Sequence, residues 1–455
     1  MDLKRNAYEQ MLAWKRRGGH RTLEVSGARQ VGKTYLVNKF ADKEYAHKEY
    51  INLLEMSGEL LMDHYRQIRE DMKNGLQLPN PVLELMRRYN PTFVDDENTV
   101  VIIDEIQESA EIYNRIREFT RYMKSDFIVT GSYLGRVLNK EFKYSAGDMV
   151  SLEIHTLDFE EFLYAVDAID QFKSLDLFGG SESSVYECLS KWYQIYCQIG
   201  GYPAVVLRYL EEQDIKACQD ELISIIKLFT NESRRYFSDI LDYEAYENLF
   251  CSVARLLVKE KKGLKEDSFS EELQSIVVKD YSSNLGKAAV NRAIDWLHSC
   301  GIIGFAGKVT NCNIMDFRAK ARCYFLDVGL TTYFLQSIGC DLSDINGVVN
   351  ENFVYLNLRS RINNERELAP EMPAFATFGA GELDFFAKSL NTGKVYGIEV
   401  KTGKNSSKTS RDVLNSKKVD VLVYAKGNTH GGVEGNIYTI PIYGISKFEF
   451  SLEVF

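Results

Sequence analysis

The segment Gly27-Ala28-Arg29-Gln30-Val31-Gly32-Lys33-Thr34 constrains this chain more than any other. It spells GxxxxGK[ST]. It follows the strand-like run Thr22-Leu23-Glu24-Val25 and opens a helical pattern from Lys33 to about Phe40. In that context glycines let the backbone curl so that successive amides point inward, and the helix N-terminus adds its partial positive charge. The result is a cradle for phosphate oxygens. Lys33 is then placed to reach β- and γ-phosphates, and the Thr34 hydroxyl to ligate Mg²⁺.

Such a loop needs a parallel sheet behind it. Val100-Val101-Ile102-Ile103 and Phe127-Ile128-Val129-Thr130 are continuous apolar runs ending in polar residues, the pattern of buried parallel strands with functional groups at their carboxyl ends. A further strand is expected near Tyr50-Ile51-Asn52-Leu53, and a helix over residues 4–17. The first apolar run ends in Asp104-Glu105, about 70 residues after the loop. Asp104 is expected to hold Mg²⁺ through water, and Glu105 to polarise the attacking water. The other run ends in Thr130-Gly131-Ser132. There Ser132 either senses a γ-phosphate or belongs to a plain turn. Together these features predict a doubly wound α/β domain over residues 1–156 that binds and hydrolyses ATP. Arg29, Arg136, Arg234 and Arg235 are candidates for a trans-acting arginine, and each also reads as a surface ion-pair residue.

Residues 157–243 read as a mainly helical lid, broken at Gly179-Gly180-Ser181 and at Gly200-Gly201-Tyr202-Pro203. Residues 244–346 give three helices and then the strand Ile302–Phe305, the order of a winged helix-turn-helix module. A chain of 455 residues accommodates these several domains. Its net charge of −10 excludes a chain-wide basic coat, so any DNA contact needs a local basic face. One candidate face is Lys404, Lys408, Arg411, Lys417 and Lys418. The other is Lys259, Lys261, Lys262, Lys265, Lys279, Lys287 and Arg292, with Lys287–Ser299 as the reading helix. Each reads equally as solvated surface, and the winged fold equally as a packing module. No apolar run approaches 18 residues, and no signal peptide is visible, so a cytoplasmic, membrane-free protein is expected. The eight cysteines form no CxxC pair and fit no zinc spacing, as expected for reduced thiols.

The last segment, 347–455, carries a second constellation. In Gly381-Glu382-Leu383-Asp384-Phe385-Phe386 an acid stands inside a strand pattern. A turn at Asn391-Thr392-Gly393-Lys394 leads back into Val395-Tyr396-Gly397-Ile398-Glu399-Val400-Lys401. Glu399 and Lys401 share one strand face, and hairpin pairing would bring Asp384 beside Glu399. Adjacent carboxylates repel unless a cation lies between them, so a Mg²⁺ or Mn²⁺ site held by Asp384 and Glu399 is expected, with Lys401 orienting the hydrolytic water. Glu351 on the preceding helix would supply a further acid. An acid followed after about 14 residues by Glu-x-Lys is the nuclease pattern D…(D/E)xK.

Taken together, the phosphate loop, Asp104-Glu105-Ile106-Gln107, Thr130-Gly131-Ser132, Phe159-Glu160-Glu161-Phe162, Gly200-Gly201-Tyr202-Pro203, Asp327-Val328-Gly329-Leu330, Glu382-Leu383-Asp384-Phe385 and Ile398-Glu399-Val400-Lys401 resemble a prokaryotic family. It is a family of AAA-type P-loop ATPases with a C-terminal restriction-endonuclease-like domain (domain of unknown function 4143). The resemblance implies an α/β P-loop NTPase (AAA-like) core with a helical lid, a winged-helix middle and a PD-(D/E)xK nuclease-like end. It implies ATP-dependent activity but no known substrate. Where many relatives place Leu-x-Gly-Arg, this chain has Ser145-Ala146-Gly147-Asp148. The expected function is Mg²⁺-dependent ATP hydrolysis that repositions a DNA-binding, DNA-cleaving C-terminal domain. The alternative is a nucleotide-controlled switch whose C-terminal domain binds DNA or protein without cutting. ATP, DNA and further copies of the same chain are the partners these readings admit.

Overall fold

The computed structural model describes residues 2–131, 141–143, 147–237, 243–264, 269–280, 286–316, 321–379, 381–403 and 408–451. The chain divides into two compact units. One comprises Lys4–His155 with Ser299–Gly301, and the other Thr156–His298 and Ile302–Phe455 with Met1–Leu3.

In the first unit the strands β1 (Thr22–Gly27), β2 (His47–Asn52), β3 (Thr99–Asp104), β4 (Asp126–Thr130) and β5 (Met149–Ile154) form a parallel sheet in the order β2-β3-β4-β1-β5. Every residue of β3 is buried, which is why that strand reads as an unbroken apolar run. Ile51, Val101, Ile103 and Val129 pack with Leu61, Ile68, Ile112 and Ile116 from the flanking helices into one core. Helices Asn6–Arg17 and Lys33–Glu44 form where the apolar spacing predicts them. β4 separates β1 from β3, so the loop after β1 and the acidic end of β3 are two strand spacings apart, roughly 10 Å.

β5 is absent from the sequence reading. It is an edge strand whose exposed residues alternate with buried Leu152 and Ile154, a shorter apolar signal than β3 or β4 give. It pairs with all of β1 and closes over the loop. A Cβ on Gly27 would lie 2.1 Å from the Ile154 carbonyl oxygen, so only glycine fits there.

The second unit joins helices to a nine-stranded mixed sheet. Its strands are β6 (Ile303–Thr310), β7 (Ile314–Asp316), β8 (Arg322–Phe325), β9 (Leu368–Phe378), β10 (Gly381–Ser389), β11 (Val395–Lys401), β12 (Val421–Lys426), β13 (Gly432–Glu434) and β14 (Ile437–Pro441). The order is β13-β14-β12-β11-β10-β9-β6-β7, with β8 paired to the first half of β6. Helices Tyr243–Lys261, Phe269–Asp280 and Lys287–Ser299 precede β6 as expected. The second half of β6, however, runs parallel to β9. The segments 244–346 and 347–455 therefore share one sheet, where the sequence reading drew a boundary. A strand paired on both edges gives no local sign of which distant segment lies beside it.

Three quoted motifs turn out to be joints of this unit. Asp158 and Glu161 cap the helix Phe159–Ala165 reciprocally, and Phe159 meets the rings of Tyr193, Tyr196 and Phe353. The buried Asp327 carboxylate accepts from the amides of Gly201, Gly329 and Leu330. Cβ atoms at Gly200 or Gly201 would lie 2.1 Å from Asp327 Oδ1 or 2.0 Å from the Leu157 oxygen. Among the described residues no helix is long and apolar enough to cross a membrane.

Candidate functional site

The loop of the first unit has the geometry its sequence requires. The Lys33 ammonium folds back to donate to the carbonyls of Gly27 (3.1 Å) and Ala28 (2.7 Å). Thr34 and Asp104, 70 positions apart, meet: the Thr34 hydroxyl donates to Asp104 Oδ2 at 2.8 Å. The Tyr50 hydroxyl donates to the same oxygen at 2.8 Å, and the Glu105 amide to Asp104 Oδ1 at 2.8 Å. Asp104 is buried. Burial, and then its bond to Asp104, hold the Tyr50 phenol well above its ordinary range, so it stays a donor. Glu105 sits in the left-handed region at φ 54°, and its carboxylate accepts from the buried Gln107 carboxamide.

Sequence reasoning assigned no role to Tyr50 or Gln107. The signal for Gln107 was there in its place two residues after Glu105. Tyr50 emerges only from the pairing of β2 with β3. The Thr130 hydroxyl is buried and has no hydrogen-bond partner among the described residues, at the end of the strand expected to carry a phosphate sensor. Ser132 and Arg136 lie outside the described residues, as do the side chains of Arg234 and Arg235. Asp148 pairs with Arg117 at 3.1 Å.

A hydroxyl and a carboxylate meeting beside a phosphate loop fit Mg²⁺, a hard cation that keeps waters and phosphate oxygens and needs few protein ligands. Thr34 and Asp104 would hold it. Bound there, it would draw negative charge from the phosphate oxygens.

On the second sheet, the expected trio does converge. The register Phe385 opposite Ile398 sets Asp384 beside Glu399. Lys401 Nζ lies 2.5 Å from Glu399 Oε2 and 3.9 Å from Asp384 Oδ2, and that Asp384 oxygen also accepts from the Val400 amide at 2.7 Å. Glu351 joins through Lys261, whose ammonium lies 2.6 Å from Glu351 Oε2 and 3.8 Å from Asp384 Oδ1. Tyr324 donates to Glu351 Oε1 at 2.7 Å, and Arg322 stands 3.8 Å away. Burial alone would lower Lys261 and Lys401. The carboxylates outweigh it and raise both, so both stay charged.

The cations between these acids are thus ammonium groups. Among the described residues no group of three or more His, Cys, Asp or Glu is placed to hold a metal ion. For Asp384 and Glu399 to hold Mg²⁺ or Mn²⁺, the Lys401 ammonium would have to move aside.

Of the described residues in the two basic faces, five are engaged internally. Lys259 pairs with Glu272 and Lys262 with Asp344, each at 2.6 Å, while Lys261 belongs to the acidic cluster. Arg411 pairs with Glu434 at 3.4 Å, and Lys418 donates to Asn311. Arg292 is exposed. Lys265 and Lys404, and the side chains of Lys279, Lys287 and Lys408, lie outside the described residues.

Residues 19–163 match the family model of an AAA domain, and residues 190–339 that of a domain of unknown function, DUF8612. An uncharacterized protein of Haemophilus influenzae is 25% identical over 187 residues, 40% of this chain. The match spans two fifths, 40%, of that relative's length. Among solved structures, the ORC2 protein of Aeropyrum pernix in ADPNP–ADP complexes is 12% identical, over 66% of this chain and 85% of its own, with a TM-score of 0.30. The ORC1 protein of Aeropyrum pernix in complex with DNA is 12% identical over 74% and 94%, with a TM-score of 0.30. The RuvB Holliday junction branch migration motor of Thermotoga maritima is 11% identical over 67% and 90%, with a TM-score of 0.28. Likenesses this low fix nothing about the arrangement of this chain. The family match and the loop's own sequence make residues 19–163 an AAA-type P-loop ATPase domain.

Proposed function

We propose that this protein is a Mg²⁺-dependent ATPase whose nucleotide state controls a second unit that binds DNA or protein. The observation that carries the reading is the Thr34–Asp104 contact at the mouth of the phosphate loop, with Glu105 next in sequence and held by Gln107. Lys33 supplies countercharge to the β- and γ-phosphates. Thr34 and Asp104 hold the metal, and Glu105 accepts a proton from the attacking water. The test is ATP binding and turnover in Lys33→Ala and Glu105→Gln. Lys33→Ala should weaken ATP binding about 100-fold or more. Glu105→Gln should keep binding while turnover falls roughly 10²- to 10⁴-fold, as on losing a general base. Unchanged turnover in Glu105→Gln removes that residue from catalysis.

For the second unit, the ion-paired carboxylates favour the switch that binds without cutting. The convergence of Asp384, Glu399 and Lys401 supports a second reading, metal-dependent phosphodiester cleavage. Incubating DNA with the protein, ATP and Mg²⁺ or Mn²⁺ separates the two. Cleavage abolished by Asp384→Ala establishes the second reading, and intact DNA under every metal establishes the first.

A further inference from the structure

The second unit carries a cleft of about 710 Å³ that neither the nucleotide site nor the acidic cluster uses. Thr402, the residue after β11, and Gly427, the residue after β12, line it. These strands are parallel neighbours, so the cleft lies at their carboxyl ends, where α/β sheets take ligands. Its size falls within the roughly 300–1,000 Å³ of small-molecule sites.

The chemistry of the lining is selective. None of the lining residues is charged, in a chain that is 26% charged. Six carboxamides contribute: Gln194, Gln198, Gln336, Asn346, Asn350 and Asn428. Burial pushes the Cys197 thiol up to about 12, so it too stays neutral. An ion would be desolvated here without a countercharge. Carboxamides offer a donor and an acceptor each, so the complement is an uncharged ligand presenting both. Ile345 and Val349 supply apolar surface for a flat face.

One of these carboxamides is built in. Asn350 is only 8% exposed, and its Oδ1 accepts from the Tyr193 hydroxyl at 2.8 Å. Its amino group has no hydrogen-bond partner among the described residues. Asn350 therefore presents a free donor beside an acceptor with a lone pair to spare. That pair matches the N7 and N6 edge of adenine.

We propose that this cleft binds an adenine-type base through Asn350, either as a free nucleoside or as an unstacked base of a single strand. The site lies in a different unit from the phosphate loop and stands or falls independently of it.

The test is calorimetric titration of the full chain with adenosine, with an oligodeoxyadenylate, and with an abasic strand of the same length. Adenosine uptake identifies the nucleoside as a source. Uptake of the oligodeoxyadenylate alone, with the abasic strand failing, identifies the strand. In either case Asn350→Leu should weaken binding about 10-fold or more, the scale of one bidentate base contact. Asn346→Ala at the exposed rim should weaken it about 2-fold or more, which keeps the test valid if Asn350→Leu misfolds. Neither asparagine belongs to the phosphate loop, so a loss of binding in these variants excludes that loop as the site. No uptake of either ligand overturns the proposal. So does equal uptake of the adenine and abasic strands, or uptake indifferent to both asparagine variants.

Discussion

Replacing Lys261, itself partly exposed, by methionine removes a cation from between the buried Glu351 and the half-buried Asp384 while keeping most of its volume. Truncating one partner of a buried ion pair costs about 3–5 kcal/mol, because the other charge is left without compensation. Here the loss is smaller. Glu351 keeps the Tyr324 hydroxyl at 2.7 Å and Arg322 at 3.8 Å, and Asp384 keeps Lys401 at 3.9 Å. About 2–3 kcal/mol is expected. Glu351→Gln alone should cost a similar amount, since it leaves Lys261 facing an amide and a more distant Asp384. The double variant should cost well under the sum, with a coupling of at least about 1 kcal/mol, as for residues in direct contact. The assay is urea unfolding followed by tryptophan fluorescence in a Trp14→Phe background. There Trp192 and Trp296 report on the second unit alone. Additive losses, or a Lys261→Met cost below about 0.5 kcal/mol, would refute the argument that Lys261 is the countercharge of this cluster.

The same pair gives a pH dependence. Burial alone would raise Glu351, and Lys261 with Arg322 outweighs it and lowers it; Lys261 is raised by Glu351 and Asp384 against its own burial. A lowered acid stabilises above its ordinary value of 4.5, and a raised lysine below its ordinary 10.5. The second unit should therefore lose stability as pH falls below about 4.5, and again above about 10.5. In Lys261→Met/Glu351→Gln, urea midpoints across this range should show both losses reduced. Gln107→Leu should slow ATP turnover about 10-fold with binding intact, since it frees the Glu105 carboxylate; unchanged turnover would show that the Gln107 bond positions nothing. Asp327→Ala strips the acceptor from three buried amides and should cost about 3 kcal/mol or more in the unfolding midpoint of the second unit. A cost under about 1 kcal/mol would show that water replaces it.

The nucleotide site was legible because its chemistry is written locally. The turn after β1 must be glycine-rich to point amides at phosphates, and the strand bearing Asp104 must be apolar to be buried on both faces. Each requirement leaves its own mark. The joint between Gly200-Gly201 and Asp327 was legible only as a pair of unexplained motifs. Its cause is the approach of the Gly201 amide to the Asp327 carboxylate, 126 positions away, which excludes any side chain. The hairpin carrying Asp384, Glu399 and Lys401 was readable from strand alternation and one turn, and the register confirms that arrangement.

The roles of the lysines were not readable, for a physical reason. A run such as Lys259, Lys261 and Lys262 at the end of a helix has the same sequence signature whether water or carboxylates receive the charges. Lys261 meets Glu351 across 90 positions, and Lys262 meets Asp344. A charge count over a local window cannot see either acid. The converse holds for the neutral cleft, whose carboxamides come from three helices and a strand end and form no motif in any window. A local run therefore overstates the basic surface and misses the neutral one. The number of acids brought within 4 Å of a lysine run decides whether that run is available to phosphates. By that measure, Lys259, Lys261 and Lys262 each face an acid of their own unit before they can meet a polyanion.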